Sequence, residues 1–548
     1  MSITEQFMTH EVQNQPVPLK DYNAWDTDTA LKEAVEREGG GWAADHLSEY
    51  GARCGGDLID SGFAANENKP KLKSFDRYGR RIDEVEFHPA YHDLMRASMH
   101  YGMNGFAWRN ANRAGAHVAR AAVMYLGAQA DAGTGCPMSM TYAAIPALRH
   151  APDLAEKWIP KLISPDYDPR SLPMEEKTGC TIGMGMTEKQ GGSDVRANTT
   201  RAIRQADGSY AIVGHKWFFS APMCDAHLVL AQAEGGLSCF LIPRILPDGS
   251  RNAVEVQRLK DKLGDWSNAS SEVEFQGARG ELVGEEGRGI VTILEMVALT
   301  RLDCMIGSSG QMRQALVQAL HHTRQRKAFG KLLIDQPLMR NVLADLALES
   351  EAAIGLTLRV ARAIDAAPRD DHEAAFARIA TAIGKYWICK RTPPMVNEAQ
   401  ECLGGIGYVE ETMMPRLYRQ APLNSIWEGS GNVQCLDVLR ALRKEPESRD
   451  ALFAELLRMK GNDSHYDAEL ERLMADYGDP DQIEFRSRAL VERTALMLQA
   501  ALFLQSGDAA IAAEFCRSRL GGQHGLAFGT LGPDAPVDLL IDRAMVAA

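Results

Sequence analysis

The sequence predicts a mainly α protein with a small β-domain at its centre. Apolar residues recur at helical spacing in residues 1–180 and again after residue 289. Between them, residues 181–283 change to alternating apolar and polar positions with turn signals. A chain of 548 residues is also too long for one core. The predicted units are an N-terminal helical domain (1–180), a β-barrel domain (181–289), a four-helix bundle (290–443) and a C-terminal helical domain (444–548).

Helix formers and helix stops organise the first unit. A helical pattern at 31–38 ends at three consecutive glycines, Gly39 to Gly41, which favour a helix stop. A polar stretch containing glycine follows at 65–81, and helical spacing returns at 90–103 and 114–131. The aromatic residues of this unit are predicted to lie in the core rather than to stack on bases: Tyr91, Trp108, Tyr125 and Tyr142.

Two hairpin signals define the β-domain. Asp207 and Gly208 separate one pair of strand-like segments, and Gly235 and Gly236 separate another. Alternating residues continue to about Val283. The pattern predicts a small barrel or sandwich, and it does not decide between these two arrangements.

The remaining sequence is helical. Long amphipathic patterns joined by short connections predict an antiparallel bundle. They cover residues 290–323, 337–364, 372–391 and 394–403. A polar segment at 445–448 separates a last helical section, which we predict to be a domain of its own.

Composition limits the function classes. Hydrophobic content of 45% and charged content of 24% are ordinary for a soluble protein. A net charge of −13 disfavours nucleic acid for the chain as a whole, although a local basic face could override it. The ten cysteines form no Cys-x-x-Cys pair and no Cys/His cluster, so no metal site is expected. Without a leader pattern or a long apolar run, the chain is predicted to be cytoplasmic, with no membrane partner.

Six sequence blocks occur in the order found in the acyl-CoA dehydrogenase family, and together they make the chain resemble that family from about residue 90 to residue 443. The blocks are MTEKQGGSDV at 186–195, GHKWFFS at 214–220, TR at 300–301, RKAFG at 326–330, ECLGGIGY at 401–408 and NSIWEGSGN at 424–432. Three positions depart from the family pattern. Phe218 replaces a tryptophan, Ser220 a threonine and Glu401 a glutamine.

The resemblance implies an FAD cofactor and the residues that hold it. A flavin needs hydrogen bonds at its ring edge, a dry wall and a cradle for its pyrophosphate. The residues implied within one subunit are Met186, Thr187, Glu188, Ser193, Phe218, Phe219, Ser220, Trp427, Gly429, Ser430 and Asn432. The resemblance further implies that Arg326, Gln336, Gly404 and Gly405 reach the cofactor of a neighbouring subunit. A shared site of this kind predicts an obligate oligomer, here a homotetramer built as a dimer of dimers.

Glu428 is the predicted catalytic base. By itself a carboxylate beside a helix start is more often a solvated first-turn acid. The resemblance implies instead that it removes the α-proton of an acyl thioester, so burial should raise its pKa. Thr300 occupies the alternative base position of branched-chain members and cannot serve as a base. The large Trp427 predicts a small pocket that suits a short or branched acyl-CoA.

The ends of the chain resemble a branch of the family that acts in the bacterial adaptive response to DNA alkylation. This resemblance implies that the C-terminal domain binds double-stranded DNA. Residues 445–548 contain ten basic and 18 acidic residues, so only clustered arginines could contact phosphates. The predicted DNA-binding residues are Arg440, Arg486, Arg488, Arg493, Arg517 and Arg519. Charge clusters like these are more often solvated helix faces, and that alternative stays open.

The sequence therefore predicts an FAD-containing protein that binds double-stranded DNA and protects it from, or deactivates, alkylating agents. It is expected to retain a weak dehydrogenase activity of the isovaleryl-CoA type. Two alternatives remain. The first is an ordinary short- or branched-chain acyl-CoA dehydrogenase with no DNA role, and the second is a flavin-stabilised scaffold without turnover.

Overall fold

The N-terminal unit consists of helices with one small sheet. The computed structural model describes residues 7–546, apart from the side chain of Ser506, so the outer residues of the first and last predicted units lie outside it. The elements of this unit are α1 (Thr29–Arg37), α2 (Ala44–Cys54), α3 (Asp57–Glu67), β1 (Lys71–Phe75), β2 (Arg81–Glu86), α4 (Pro89–His100), α5 (Phe106–Arg109), α6 (Ala116–Ala130), α7 (Gly135–Leu148) and α8 (Pro152–Leu162). The antiparallel hairpin β1–β2 was not predicted from the polar stretch.

Helices α6 and α7 form the centre of this unit. They are apolar on nearly every face, which is typical of helices enclosed on all sides. Tyr91, Tyr125 and Tyr142 are buried as predicted, while Trp108 is partly buried. The last turns of α7 lead through α8 to the first strand of the β-domain.

The β-domain is a closed barrel. Its strands are β3 (Ile182–Gly185), β4 (Arg201–Arg204), β5 (Tyr210–Ser220), β6 (Ala226–Ala233), β7 (Gly236–Pro243), β8 (Val254–Leu259) and β9 (Ser270–Val283). Their order is β3-β6-β4-β5-β9-β7, and a further pairing of β6 with β7 closes the sheet. Both predicted hairpin turns join antiparallel neighbours. The barrel arrangement is therefore confirmed over the sandwich.

Three long helices carry the bundle. They are α9 (Gly289–Thr323), α10 (Pro337–Ala366) and α11 (Asp371–Glu401), and a short hairpin of β10 (Lys327–Ala328) and β11 (Lys331–Leu332) follows the first of them. The predicted break at Pro393 and Pro394 was wrong, because α11 continues through both prolines. Thr392, Met395 and Val396 are buried around them, and this packing offsets the loss of about 3 kcal/mol expected for an interior proline.

The last section continues from the bundle without a flexible linker. After α12 (Met414–Gln420) comes helix α13 (Gly431–Lys444), and a single residue, Glu445, separates it from α14 (Pro446–Leu457). The further helices are α15 (Ser464–Gly478), α16 (Ile483–Ser506), α17 (Ala509–Phe515) and α18 (Val537–Ala544), with a π-helical turn at Cys516–Leu520. Helices α14, α16 and α18 pack on α10 and α11. Within the described part of the chain, no helix has the length and apolar character needed to span a bilayer.

Candidate functional site

Glu428 lies in a tight loop between the 3-10 turn Leu423–Ser425 and helix α13. Its backbone is left-handed, with φ of 57°, and Gly429 follows with φ of 91°. A non-glycine residue in this conformation costs on the order of 1–3 kcal/mol and persists only where its surroundings hold it. The loop therefore needs fixed contacts, and helices α9 and α11 supply them.

The carboxylate of Glu428 points at helix α9. The Thr300 hydroxyl donates to Glu428 Oε2 at 2.6 Å. Burial of the carboxyl group raises the pKa of Glu428 above its ordinary value, although part of the residue reaches the surface. The Thr300 hydrogen bond and the cations of Lys385 and Arg301 oppose this rise in pKa. Thr300, which occupies the alternative base position, thus hydrogen bonds to Glu428, the one candidate base that remains.

Lys385 clamps the loop from helix α11. Its ammonium group donates to the carbonyl oxygens of Trp427 at 2.6 Å and Gly429 at 2.5 Å, on either side of Glu428. Lys385 is buried, and such a lysine is rare unless its protons are bonded. Gln434 supports the same turn by donating to the carbonyl oxygens of Glu428 and Gly429.

A chain of ion pairs connects the loop with the start of the C-terminal section. Arg301 donates to the Glu428 carbonyl at 3.1 Å and pairs with Asp437 at 2.8 Å. Asp437 also pairs with Arg378, which contacts Glu445 at 3.1 Å. These partly buried pairs fix the orientation of α13 relative to the loop.

The barrel rim faces the loop. Met186 and Trp427 pack against the same apolar cluster, which contains Cys136. Burial raises the pKa of the Cys136 thiol, and Ser220 and Glu428 lie near enough to modify it. Thr187 and Ser220 are half-buried at this rim. Phe218 is 53% exposed although it is apolar. Ser193 is exposed in the loop that follows β3, close to the open left-handed Gly191.

The Phe219 side chain needs correction as a cofactor contact, whereas at Glu188 the resemblance implies contact through the backbone amide, which stays a prediction. The Phe219 side chain lies inside the barrel, stacked on His227 at a centroid distance of 3.7 Å, because it alternates with the outward Phe218 along β5. The Glu188 carboxylate is fully buried in a salt bridge with Lys216 at 2.8 Å and also accepts from Thr199 and Thr200. Neither side chain is free to contact a flavin.

The residues predicted for a neighbouring subunit's cofactor lie where α9 and α11 end. Arg326 donates to the Asn14 carbonyl at 2.5 Å, and Gln336 donates to the carbonyl of Ala328. At Gly404 and Gly405 an added Cβ would meet no heavy atom of the described chain within 4 Å. The large apolar residues exposed near these positions are Phe329, Leu338, Ile406 and Tyr408. Open glycine backbone beside exposed apolar side chains fits a cradle completed by a cofactor and a second subunit.

The loop after Glu428 meets the C-terminal section directly. Trp427 donates from its indole nitrogen to Asn424 at 2.9 Å. Gly429 is left-handed, and Ser430 precedes α13 as an exposed N-cap residue. Arg488, predicted to bind DNA, donates to the side chain of Asn432 at 3.0 Å. Asn432, predicted to hold FAD, and Arg488, predicted to bind DNA, are therefore neighbours.

Four of the six arginines predicted to bind DNA already have carboxylate partners. Arg486 lies against Asp476 and Asp479, and Arg493 against Glu469 and Asp476. Arg517 pairs with Glu514. Arg519 is only 6% exposed and bonds Asp345 at 2.5 Å as well as Glu349. A phosphate would have to displace these acids, so the structure does not present the four arginines as a free basic face. Arg440 is exposed, with no carboxylate partner among the described residues.

Sequence reasoning missed Lys385, Gln434 and the Arg301–Asp437 pair. Lys385 carries a signal in hindsight, because it is the one charged residue in the run AIGKYWIC at 382–389. A lone lysine in an apolar helix indicates a buried and bonded ammonium group. The other two had no comparable local signal.

Three family descriptions match successive parts of the chain. Residues 14–169 match the Adaptive response protein AidB N-terminal domain, residues 183–278 the acyl-CoA dehydrogenase middle domain, and residues 287–443 the acyl-CoA dehydrogenase C-terminal domain. Together they account for most of the chain up to the end of α13.

Two relatives match most of the chain. A protein of Escherichia coli (strain K12), named AidB, is 49% identical over 95% of this chain and 96% of its own. Acyl-CoA dehydrogenase family member 11 of Caenorhabditis elegans is 31% identical over 86% of this chain and 76% of its own. Among solved structures, the Caenorhabditis elegans ACDH-11 in complex with C11-CoA has a TM-score of 0.86 at 26% identity, with 96% of both chains covered.

Proposed function

Because the chain belongs to the acyl-CoA dehydrogenase family, in which FAD accepts a hydride from the β-carbon of the substrate, we propose that Glu428 removes the α-proton of an acyl-CoA thioester. One proton and one hydride leave the substrate, and a carbon–carbon double bond remains. The observation that carries this assignment is the Glu428 carboxylate, which accepts a hydrogen bond from Thr300 and whose pKa is raised by burial. Its neighbour Trp427 packs with Met186 of the barrel rim against one apolar cluster. A base whose pKa is moved towards neutrality is matched to carbon acids near neutral pH.

The chain offers a consistent set of groups for FAD. Thr187 and Ser220 have hydroxyls at the rim, and a hydroxyl can both donate and accept at the flavin edge. Phe218 supplies an exposed aromatic wall, and Ser193 an exposed hydroxyl for the pyrophosphate. From a second subunit, Arg326 and the open glycines would complete the site, which supports a homotetramer built as a dimer of dimers.

The residues around Glu428 have distinct tasks. Thr300 orients its carboxylate, while Lys385 and Gln434 hold the carbonyl groups of the strained turn. With those carbonyls occupied, the loop keeps its left-handed conformation without relying on the substrate. Burial excludes water from the carboxylate and so raises its basicity.

Trp427 is proposed to limit the acyl group to a short or branched chain. Its indole is held by Asn424, and Asn424 in turn bonds Ser308, so it cannot swing away freely. The relative ACDH-11 was solved with C11-CoA, which makes acyl length a direct point of comparison. Titration with isovaleryl-CoA and with a C11 acyl-CoA tests whether the pocket takes short, branched acyl groups or long ones. Under this proposal only isovaleryl-CoA should bleach the flavin efficiently.

A role in the response to DNA alkylation is the second part of the proposal. It is supported by the likeness to AidB over 95% of the chain and by the match to the adaptive response domain at 14–169. We infer a cytoplasmic protein that binds double-stranded DNA, with Arg440 as an exposed phosphate contact, and that protects DNA from alkylating agents. An ordinary dehydrogenase without a DNA role remains the second candidate, because the catalytic loop is intact.

Glu428→Gln tests the catalytic assignment. The variant should keep its yellow FAD, since glutamine preserves shape and can still bond Thr300, but isovaleryl-CoA should no longer bleach it. Glu410→Gln is a matched control, because Glu410 is exposed and pairs with Arg419 outside this loop. Retained bleaching in Glu428→Gln would refute the assigned base. Binding of duplex DNA to the same preparations, followed by fluorescence anisotropy, tests the DNA role separately.

A further inference from the structure

A cluster of positive charge with few carboxylate partners lies in the N-terminal unit, outside the C-terminal section. Residues 69–81, here called the basic hairpin, contain six lysines and arginines and one acid, although the whole chain has a net charge of −13. They comprise Lys69, strand β1, its turn and the first residue of β2. A concentrated basic segment on an acidic protein indicates an anionic partner.

Three basic side chains of the hairpin are free. Lys71, Arg77 and Arg80 are exposed, and no carboxylate of residues 7–546 forms an ion pair with them. The other three are weakly held or structural. Lys69 meets Asp261 at 3.5 Å and Lys73 meets Glu86 at 3.1 Å in exposed pairs, while Arg81 is bound to Asp83 and to the carbonyl of Val256. A phosphate could contact the free residues without displacing any acid, whereas Arg493 and Arg519 of the C-terminal section are already paired with carboxylates.

Aromatic rings lie between these charges. Tyr78 is 70% exposed and Phe75 is 57% exposed. The guanidinium groups of Arg77 and Arg80 lie 5.2 and 5.6 Å from the centre of the Tyr78 ring. Basic groups alternating with exposed rings match unpaired nucleotides, where the phosphates meet the charges and the bases stack on the rings. An acidic protein surface would use the charges but would have no need of the rings.

The hairpin is mounted rigidly. Asp76 Oδ1 accepts from the backbone of Tyr78 at 2.8 Å and of Arg80 at 2.9 Å, which fixes the turn. Its base is tied to the barrel, because the buried Asp83 accepts from the backbone of Val256 and from Arg251. A preorganised surface loses little conformational entropy on binding.

We propose that the basic hairpin is a contact site for DNA with unpaired bases, in which Lys71, Arg77 and Arg80 bind phosphates and Tyr78 and Phe75 stack on bases. This inference rests on the proposed DNA role and changes where that role is carried out. Affinity at this site is independent of sequence and sensitive to salt, and it favours single strands over duplex.

The test compares paired variants in the full chain loaded with FAD. Arg77→Ala/Arg80→Ala should bind a fluorescein-labelled oligothymidylate roughly 25-fold more weakly at 0.1 M salt, with a salt slope smaller by about 1.4. Arg201→Ala/Arg204→Ala is the matched control. It removes two exposed arginines at the same spacing from strand β4, and its affinity should match the wild type. Tyr78→Ala should lose the preference for single strands while keeping the salt slope.

The outcomes separate this inference from the proposed function. Wild-type protein that binds neither oligothymidylate nor duplex refutes the DNA role itself. If the wild type binds oligothymidylate and Arg77→Ala/Arg80→Ala binds it with the same affinity, only the hairpin assignment is refuted. If that variant instead binds DNA normally but dissociates into smaller oligomers in light scattering, the hairpin is an interface between copies of this acidic chain and the proposal is overturned.

Discussion

Among single residues, Lys385 is the one on which the geometry of Glu428 depends most. Its two hydrogen bonds end on the carbonyls of residues 427 and 429, so they brace the backbone on both sides of a left-handed glutamate. Its charge also lowers the pKa of Glu428, against the dominant effect of burial. Lys385 does not contact the reacting atoms, and it acts as a positioning residue.

Lys385→Met should change the pH dependence of flavin reduction. The base works only when deprotonated, so activity rises as the pH passes the pKa of Glu428. Loss of a neighbouring cation raises that pKa, and the acid limb should move to higher pH. The rate at neutral pH should fall by up to about 100-fold, because the loop is no longer held in place. Stopped-flow bleaching by isovaleryl-CoA across pH measures both effects.

Lys385→Arg is the control for this prediction, since it keeps a cation and donors at the same position and should restore the acid limb. The other groups that face the Glu428 carboxylate stay in place in both variants: Thr300, Arg301, Cys304 and Cys136. An acid limb in Lys385→Met that coincides with the wild type would show that the ammonium group only fills space.

Of the structural elements, the β-barrel depends on one buried ion pair. Glu188 and Lys216 are both fully buried and bond each other at 2.8 Å. Burial lowers the pKa of Lys216 to about 8, while the Lys216 cation and the bonds from Thr199 and Thr200 hold the pKa of Glu188 below its ordinary value. The pair also fixes the turn that carries Thr187, so barrel stability and the cofactor rim are linked.

Lys216→Met should destabilise the barrel strongly. It leaves the Glu188 carboxylate buried without its cation, and breaking a buried pair in this way costs about 3–5 kcal/mol. Glu188→Gln/Lys216→Met should recover most of that loss, because no charge is then stranded and the amide oxygen still accepts from Thr199. Urea unfolding of the wild type, of Lys216→Met and of Glu188→Gln/Lys216→Met measures the differences in free energy of unfolding. The rise in FAD fluorescence as the cofactor is released serves as the signal. A Lys216→Met protein as stable as the wild type would contradict this account.

Elements with local signals were predictable, and those determined by distant contacts were not. The turns at Asp207 and Gly235 follow from their glycines, and both hairpins are present. The hairpin β1–β2 was missed because charged and polar residues dominate both strands, and the continuous α11 because burial outweighs its two prolines. The catalytic loop was recognisable as a motif. The acid that neutralises Arg519 is 174 positions away, and no local pattern reveals such a partner.

For the whole molecule, the C-terminal section is part of the bundle rather than an appended module. Arg359 of α10 is buried between Glu373 and Glu455, and the second of these comes from α14. Asp345, with 0% exposure, accepts from Arg519, from His524 and from the backbone of Gly529. Arg543 of α18 joins Glu33 of α1 to Glu351 of α10. The first and last helices are thereby tied to the same core.

Truncation after Lys444 should therefore not yield a working dehydrogenase. It would leave the buried Asp345 without Arg519, His524 and Gly529, and would take one of two ionic partners from Glu349 and from Arg359, at about 3–5 kcal/mol for each broken buried pair. The sum is comparable to the 5–15 kcal/mol that stabilises a typical domain. The shortened chain should be insoluble or free of flavin. Arg440→Ala, which removes an exposed charge at the same boundary, should fold and retain FAD as the wild type does.

A DNA site in the C-terminal section can be tested only in the full chain, because that section shares buried ion pairs with the bundle. Loss of DNA binding on truncation would report unfolding, so only point variants of exposed and unpaired residues such as Arg440 are informative. Thermal unfolding of the full chain should show one cooperative transition for bundle and C-terminal section together, with FAD released in the same step. A soluble yellow fragment of residues 1–444, or a separate early transition assigned to residues 445–546, would show that the section is independent after all.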